Sequence, residues 1–330
     1  MTDYIQEPPN CVQVELTEGC NLGCFFCGLQ SIRDNGADGV KQIHGKASPF
    51  KFMTIDQARR VAERIREAGW TSRIEFAMHG EPTMNPDFID IVAMFRTVLP
   101  NQSLMMTSNG GGLLKGGNIS NKINQLMEAG LNVLLLDNYD GIRIVDKVRQ
   151  NYNGPHPVYD YPSDHRANPH KRRAVNQHDV VVVADIVSAS DGNHATLNNH
   201  TGGAAPLNDK AEGKRCAKPF REMSVRYNGN VAMCCNDWPG VYKIGNILET
   251  PAEELWQGAG FMAARRALLH GRRDLAPCKG CDATSYRTGL LPDRLGKQTL
   301  PPPDDETWEV WKAATDGDPY TPRIKRPWEV

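Results

Sequence analysis

The sequence predicts an α/β protein, with parallel βαβ units in its first half and a small second domain beginning at about Cys216. Two observations carry this. Short apolar strands alternate with amphipathic helices as far as residue 186, and from Cys216 the pattern gives way to a hairpin, a helix and clustered cysteines. At 330 residues the chain exceeds the usual single domain, so one large domain with an appendage, or two domains, is expected.

VQVEL (12–16) reads as the first strand, and a long polar loop follows it. In TIDQARRVAERIREAGW, Thr54 can cap a helix that gathers Ala58, Val61, Ala62 and Ile65 on one side and charge on the other. IEFAM (74–78), SLMMT (103–107), VLLLD (133–137) and VVVVADI (180–186) are further strands, separated by helices over DFIDIVAMFRTVL, NKINQLMEAG and GIRIVDKVRQN. Their apolar continuity suits strands covered on both faces. In such sheets the functional rim lies just beyond the strand C-termini, which would collect the Cys20–Cys27 loop, His79-Gly80-Glu81, Ser108-Asn109, Tyr139-Asp140 and Asp185. Residues 152–178 mix Pro, Asn, His and basic residues without periodicity and read as an irregular excursion. SVRYNGNVAMCC predicts a hairpin turning at Asn228-Gly229, followed by one helix over PAEELWQGAGFMAARRALL. From Pro301 the tail is expected to pack as an extended arm.

Composition narrows the function classes. Hydrophobic residues make up 40% and charged residues 23%, ordinary for a globular protein. Lys plus Arg (38) and Asp plus Glu (39) nearly cancel, so no global field draws the chain to nucleic acid or membrane. The opening MTDYIQEPPN lacks the layout of a signal peptide and no apolar run is long enough to span a bilayer, so a cytoplasmic protein without a membrane partner is expected. Nine clustered cysteines in such a chain argue for metal rather than disulfides.

Cys20, Cys24 and Cys27 have the spacing C-x3-C-x2-C in EGCNLGCFFCG, directly after a strand. Thiolates are soft ligands for iron–sulfur clusters or zinc, and three of them leave one metal corner open. An open iron can chelate the amine and carboxylate of S-adenosylmethionine (SAM) and place its sulfonium beside an electron donor. On these residues the sequence resembles the radical SAM superfamily. The resemblance implies that the three cysteines bind a [4Fe–4S] cluster, that Phe26 lies against the adenine, and that roughly residues 11–190 form a partial (β/α)6 TIM-like barrel. A zinc site closed by a fourth ligand such as His44 is the alternative.

MHGEP (78–82) resembles the GGEP element of that superfamily, which receives the SAM amino group; Gly80 and Glu81 match, and His79 stands in place of the first glycine. A strand-end carbonyl and a carboxylate can both accept from a cationic amine. TSNGG (107–111) resembles the rim segment that bonds the SAM ribose, with Ser108 and Asn109 as candidates. No strand–GxGxxG–helix unit supports nicotinamide binding.

Cys216 is followed by Gly229 and Cys234, and PCKGCD then supplies Cys278 and Cys281. Four thiolates fill every corner of a cluster. This arrangement resembles the twitch subdomain, a shortened SPASM-like β-hairpin and helix unit that holds one auxiliary [4Fe–4S] cluster, so two clusters are expected in total. Arg221, the hairpin turn, KIGNI and ELW fit its layout. A structural zinc ribbon is the alternative. Cys235 is a spare thiol, a swapped ligand or a hydrogen-atom donor, and Cys11 an inert buried thiol. The expected divisions are a barrel over 1–200, the auxiliary domain over 201–295 and an extension over 296–330.

The resemblance implies reductive cleavage of SAM to a 5′-deoxyadenosyl radical, which takes hydrogen from a carbon of a nucleoside-, amino-acid- or sugar-type substrate for oxidation or isomerisation. An electron donor such as flavodoxin or ferredoxin is implied with it. Tyr139, Asp140, Asp185 and Tyr286 are candidate substrate contacts, with Asp185 the catalytic candidate among them. CGLQSIRDNG and FKFMT also look similar to bacteriophage radical SAM proteins that remodel modified thymine in DNA; HKRRAVNQH (170–178) and RIKRP (323–327) could then meet phosphate, in a host cytoplasm. A peptide substrate and a non-catalytic zinc–thiolate protein are the remaining readings.

Overall fold

The computed structural model describes residues 6–22, 24, 50–139, 143–160, 180–184, 213–238, 240–273, 276–279, 281 and 300–315. The first half runs β1 (Cys11–Val14), β2 (Thr17–Glu18), β3 (Lys51–Phe52), α1 (Ile55–Glu67), β4 (Arg73–Phe76), α2 (Phe88–Val98), β5 (Leu104–Ser108), α3 (Ile119–Glu128), β6 (Val133–Asp137), α4 (Ile144–Asn151), β7 (Val158–Asp160) and β8 (Val180–Ala184). The remainder adds α5 (Lys218–Arg221), β9 (Glu222–Val225), β10 (Asn230–Ala232), β11 (Lys243–Asn246), α6 (Ala252–Gln257), α7 (Ala259–Leu269) and α8 (Asp305–Ala314).

Local chemistry explains these boundaries. Thr54 caps α1 through a reciprocal pair with Gln57, and Ala58, Val61, Ala62 and Ile65 are its buried face. Burying a Val or Ile side chain is worth about 1.5–3 kcal/mol, enough to hold an otherwise charged helix on the sheet. At Asn228-Gly229 the chain turns with Gly229 at φ 84, a left-handed conformation natural to glycine. The helix expected over 251–269 is broken at Gly258, whose extended backbone ends α6 and caps α7. Where an extended arm is expected from Pro301, residues 305–314 form a helix, α8, started by an Asp304–Thr307 capping box and anchored by buried Trp311.

Among the described residues one nine-stranded sheet has the order β11-β10-β9-β1-β4-β5-β6-β8-β7. The pairs from β9 through β7 are parallel, and the β9-β10 and β10-β11 pairs are antiparallel. This is the α/β fold of a partial TIM-like barrel, and its sheet continues directly into the C-terminal hairpin. The excursion at 152–178 contributes an edge strand, β7. No described helix is long and apolar enough to cross a membrane.

Strand register divides the sheet into two faces. Val12, Val14, Ile74, Phe76, Leu104, Met106, Leu134, Leu136, Val181 and Val183 pack with the helices in the main core. The opposite face carries Gln13, Glu75 and Ser224 in one aligned row. Beyond them on that face lies an apolar cluster of Met105, Val133, Val180 and Val182.

Candidate active site and auxiliary cysteine cavity

Three rim segments meet where the strands β1, β4 and β5 end. Gly80 lies so close to the backbone of the segment leading to Cys20 that a Cβ there would sit 1.7 Å from Thr17 O and 2.8 Å from Gly19 O. The Glu81 N–H donates to Gly19 O at 2.8 Å. The Glu81 carboxylate in turn accepts from Thr83 N (3.0 Å), Thr83 Oγ1 (2.5 Å), Ser108 Oγ (2.5 Å) and Asn109 N (2.7 Å). Burial pushes this carboxyl above its ordinary range, opposed by those donors. Glu81 and Ser108 are therefore engaged inside the protein, joining the turn after β4 to the turn after β5.

Asn109 Nδ2 donates to Cys20 Sγ at 3.3 Å and to Asn21 Oδ1 at 3.1 Å, and the Leu22 N–H donates to the same sulfur at 3.4 Å. Two N–H groups aimed at one sulfur suit a metal-bound thiolate, whose charge they stabilise. Cys20 is partly exposed and Cys24 buried. Cys27, Phe26, His44, Asp140, Asp185, Tyr286 and both basic stretches lie outside the described residues. Tyr139 follows β6 at the same rim.

His79 is buried and faces an acceptor on each side, with Nε2 2.7 Å from Cys235 O and Nδ1 3.4 Å from Glu15 Oε1. Its ring packs on Trp238 with centroids 4.7 Å apart. Glu15 also lies 3.7 Å from Arg226 Nε, and Arg226 reaches Glu18 at 2.7 Å. Burial raises the Glu15 carboxyl, but the His79 and Arg226 partners outweigh it and hold the carboxyl below its ordinary value.

The C-terminal cysteines converge. Cys216, Cys234, Cys278 and Cys281 line one cavity, together with Lys218, Asn236 and Arg273. Burial pushes the Cys278 thiol well up, and negative charge on Cys281 and Cys216 would push it further; burial pushes Cys234 well up too, with charge on Cys235 and then on Cys278 adding to the rise. Burial raises the Cys216 thiol too, and thiols raised in this way are unfavourable as free thiolates, a penalty that bound iron removes by replacing their protons. Lys218 and Arg273 set positive charge beside them. The donor set therefore fits a fully ligated [4Fe–4S] cluster. Cys235 is not part of that lining: its sulfur takes a hydrogen bond from Lys218 Nζ at 3.0 Å, and Lys218 pairs with Glu222 at 2.8 Å. Burial pushes the Cys235 thiol up to about 12, with Glu222 adding to the rise.

Support for the cavity comes from α8, which sequence reasoning missed. Trp311 packs edge-on against Tyr242 at 4.8 Å and donates from Nε1 to Ala276 O at 2.8 Å, two residues before Cys278. The signal was present as the Asp304–Thr307 cap ahead of Trp308 and Trp311, overshadowed by the prolines before it.

Comparison with known proteins agrees with this geometry. Residues 14–138 match the radical SAM superfamily, and residues 216–282 match SPASM, an iron–sulfur cluster-binding domain. A GTP 3′,8-cyclase of Pectobacterium atrosepticum is 28% identical over 167 residues, covering 48% of this chain and 45% of the relative. One from Yersinia pestis is 28% identical over 134 residues, covering 41% and 35%. The chain thus spans less than half the length of these curated relatives. The crystal structure of BtrN in complex with AdoMet and 2-DOIA shares the fold, with a TM-score of 0.62 at 19% identity over 85% of this chain and 96% of that one. This chain therefore carries a radical SAM domain followed by a SPASM/twitch-type domain, and with them the binding sites for SAM, a SAM-binding [4Fe–4S] cluster and an auxiliary cluster.

Proposed function

We propose that this radical SAM enzyme cleaves SAM reductively and oxidises a carbon of a nucleoside-, amino-acid- or sugar-type substrate. The observation that carries the reading is the parallel pairing of β9 with β1, because it puts the cysteine rim and the four-cysteine cavity on one continuous sheet. A reduced cluster held by Cys20, Cys24 and Cys27 would supply the electron for reductive cleavage of SAM, and through it the power to take hydrogen from an unactivated substrate carbon. An auxiliary cluster held by Cys216, Cys234, Cys278 and Cys281 would supply an acceptor for the second electron of a two-electron oxidation.

The chain's own residues supply position and exclusion of water. Cys20, Cys24 and Cys27 are assigned as ligands of the SAM-binding cluster, with Phe26 against the adenine. Since Glu81 is engaged internally, backbone carbonyls of the 78–80 turn are the acceptors assigned to the SAM amine. Ser108 and Asn109, the residues assigned to the SAM ribose, also fix the neighbouring turn through Glu81 and Cys20. Cys216, Cys234, Cys278 and Cys281 are assigned to the auxiliary cluster. On the face of the sheet away from the helices, the row Gln13–Glu75–Ser224 beside an apolar cluster suits a substrate with both polar and apolar surface. The relatives named for GTP support the nucleoside-type member of that set. A flavodoxin or ferredoxin is the proposed reductant.

The test is anaerobic incubation of iron-loaded protein with SAM, dithionite and panels of nucleotides, amino acids and amino sugars. A product lacking two hydrogens, with deuterium from the substrate carbon recovered in 5′-deoxyadenosine, is expected. A product of unchanged mass would contradict the oxidative reading.

A further inference from the structure

Resting on that reading, we infer that His79 is a positioning residue that ties the SAM-facing turn to the peptide just after the auxiliary ligand Cys234, so that the two centres hold one relative position. The superfamily element that this turn resembles has glycine at position 79, where nothing could reach across. Here the imidazole extends from the end of β4 to the carbonyl of Cys235, 156 residues away in sequence, at 2.7 Å.

Several features make this contact rigid. The ring is buried at 4% exposure, so the hydrogen bond is shielded from competing water. Glu15 stands at 3.4 Å on the Nδ1 side, and Trp238 packs on the ring with centroids 4.7 Å apart, which restricts movement of the imidazole. Met78, immediately before it, has φ 117, a strained conformation for a non-glycine residue that persists only when its surroundings enforce it. Both ends of the contact adjoin functional residues: Gly80 presses on the segment leading to Cys20, and Cys235 follows Cys234. Trp238 and Asp237 belong to the same peptide, and Asp237 fixes it by accepting from Val241 and Tyr242 N–H groups at 3.0 and 2.9 Å.

The test separates the hydrogen bond from ring packing. His79→Phe keeps a ring against Trp238 without a donor, and His79→Gln restores a donor at the Nε2 position. Two readouts are used: the Michaelis constant for SAM in dithionite-driven 5′-deoxyadenosine formation, and the electron paramagnetic resonance spectrum of the reduced auxiliary cluster in a Cys20→Ala/Cys24→Ala/Cys27→Ala background. In His79→Phe we expect KM for SAM to rise about tenfold with kcat within about twofold, and the auxiliary spectrum to change. In His79→Gln both readouts should return to near the wild-type values. If either readout in His79→Phe stays at the wild-type value, or His79→Gln is as impaired as His79→Phe, the inference is overturned while the proposed function stands. Absence of any auxiliary signal in the triple-cysteine background with His79 intact would overturn both.

Discussion

The side-chain amide of Asn109 donates to the sulfur of Cys20 at 3.3 Å, while the backbone N–H of the same residue donates to Glu81 at 2.7 Å. One residue beyond β5 thus holds the thiolate after β1 and the carboxylate after β4. An N–H donor withdraws electron density from a cluster sulfur and eases reduction of the cluster. Asn109→Ala is expected to lower the reduction potential of the SAM-binding cluster and to slow 5′-deoxyadenosine formation about tenfold. A redox titration followed by electron paramagnetic resonance checks the first effect, and single-turnover SAM cleavage the second.

Gly80 has no room for a methyl group, since its Cβ would overlap the Thr17 carbonyl at 1.7 Å. Gly80→Ala should push the Gly19-Cys20 backbone outward and cost about 1–3 kcal/mol of stability. SAM cleavage should fall sharply while the auxiliary cluster stays bound, which iron analysis and the auxiliary spectrum together report.

Cys234 lines the auxiliary cavity and Cys235 does not. Cys234→Ala is therefore expected to purify with about four irons per chain, against about eight for the parent and for Cys235→Ala. Anaerobic iron and sulfide analysis distinguishes the two. The reverse pattern would make Cys235 the ligand.

Glu15 is buried between His79 and Arg226, which hold its carboxyl below the ordinary value. A carboxyl with a depressed folded-state value stabilises the fold above its unfolded value, about pH 4.3, and loses that contribution as pH falls through the lower folded one. Glu15→Gln should therefore flatten the acid limb of the stability profile relative to the parent. At neutral pH, breaking one partner out of this buried ionic group should cost about 3–5 kcal/mol. Denaturant unfolding of the two proteins at matched pH values measures both effects.

Legibility in the sequence followed the range of the interactions. VLLLD appears as strand Val133–Asp137, and Thr54 caps α1 as its pairing with Gln57 allows, because propensity and capping are local. Position after successive strands puts the Cys20, Gly80-Glu81 and Ser108-Asn109 segments on one rim, and the structure brings them into contact. The inward engagement of Glu81 was not legible, because Thr83 and Ser108 read as ordinary turn residues until their hydroxyls are seen to converge on it. The pairing of β9 with β1 and the His79–Cys235 contact join residues more than 150 positions apart, and no periodicity encodes such a register. The single helix expected over 251–269 is broken at Gly258, where the backbone turns extended between two helices whose apolar pattern continues on both sides and conceals the break.

Formation of 5′-deoxyadenosine measures the central claim most directly. Anaerobically reconstituted protein, given SAM and dithionite, should release 5′-deoxyadenosine and methionine in equal amounts, and Cys20→Ala should release none while keeping its auxiliary iron. Intact SAM after incubation with protein that holds both clusters in reduced form would contradict the account.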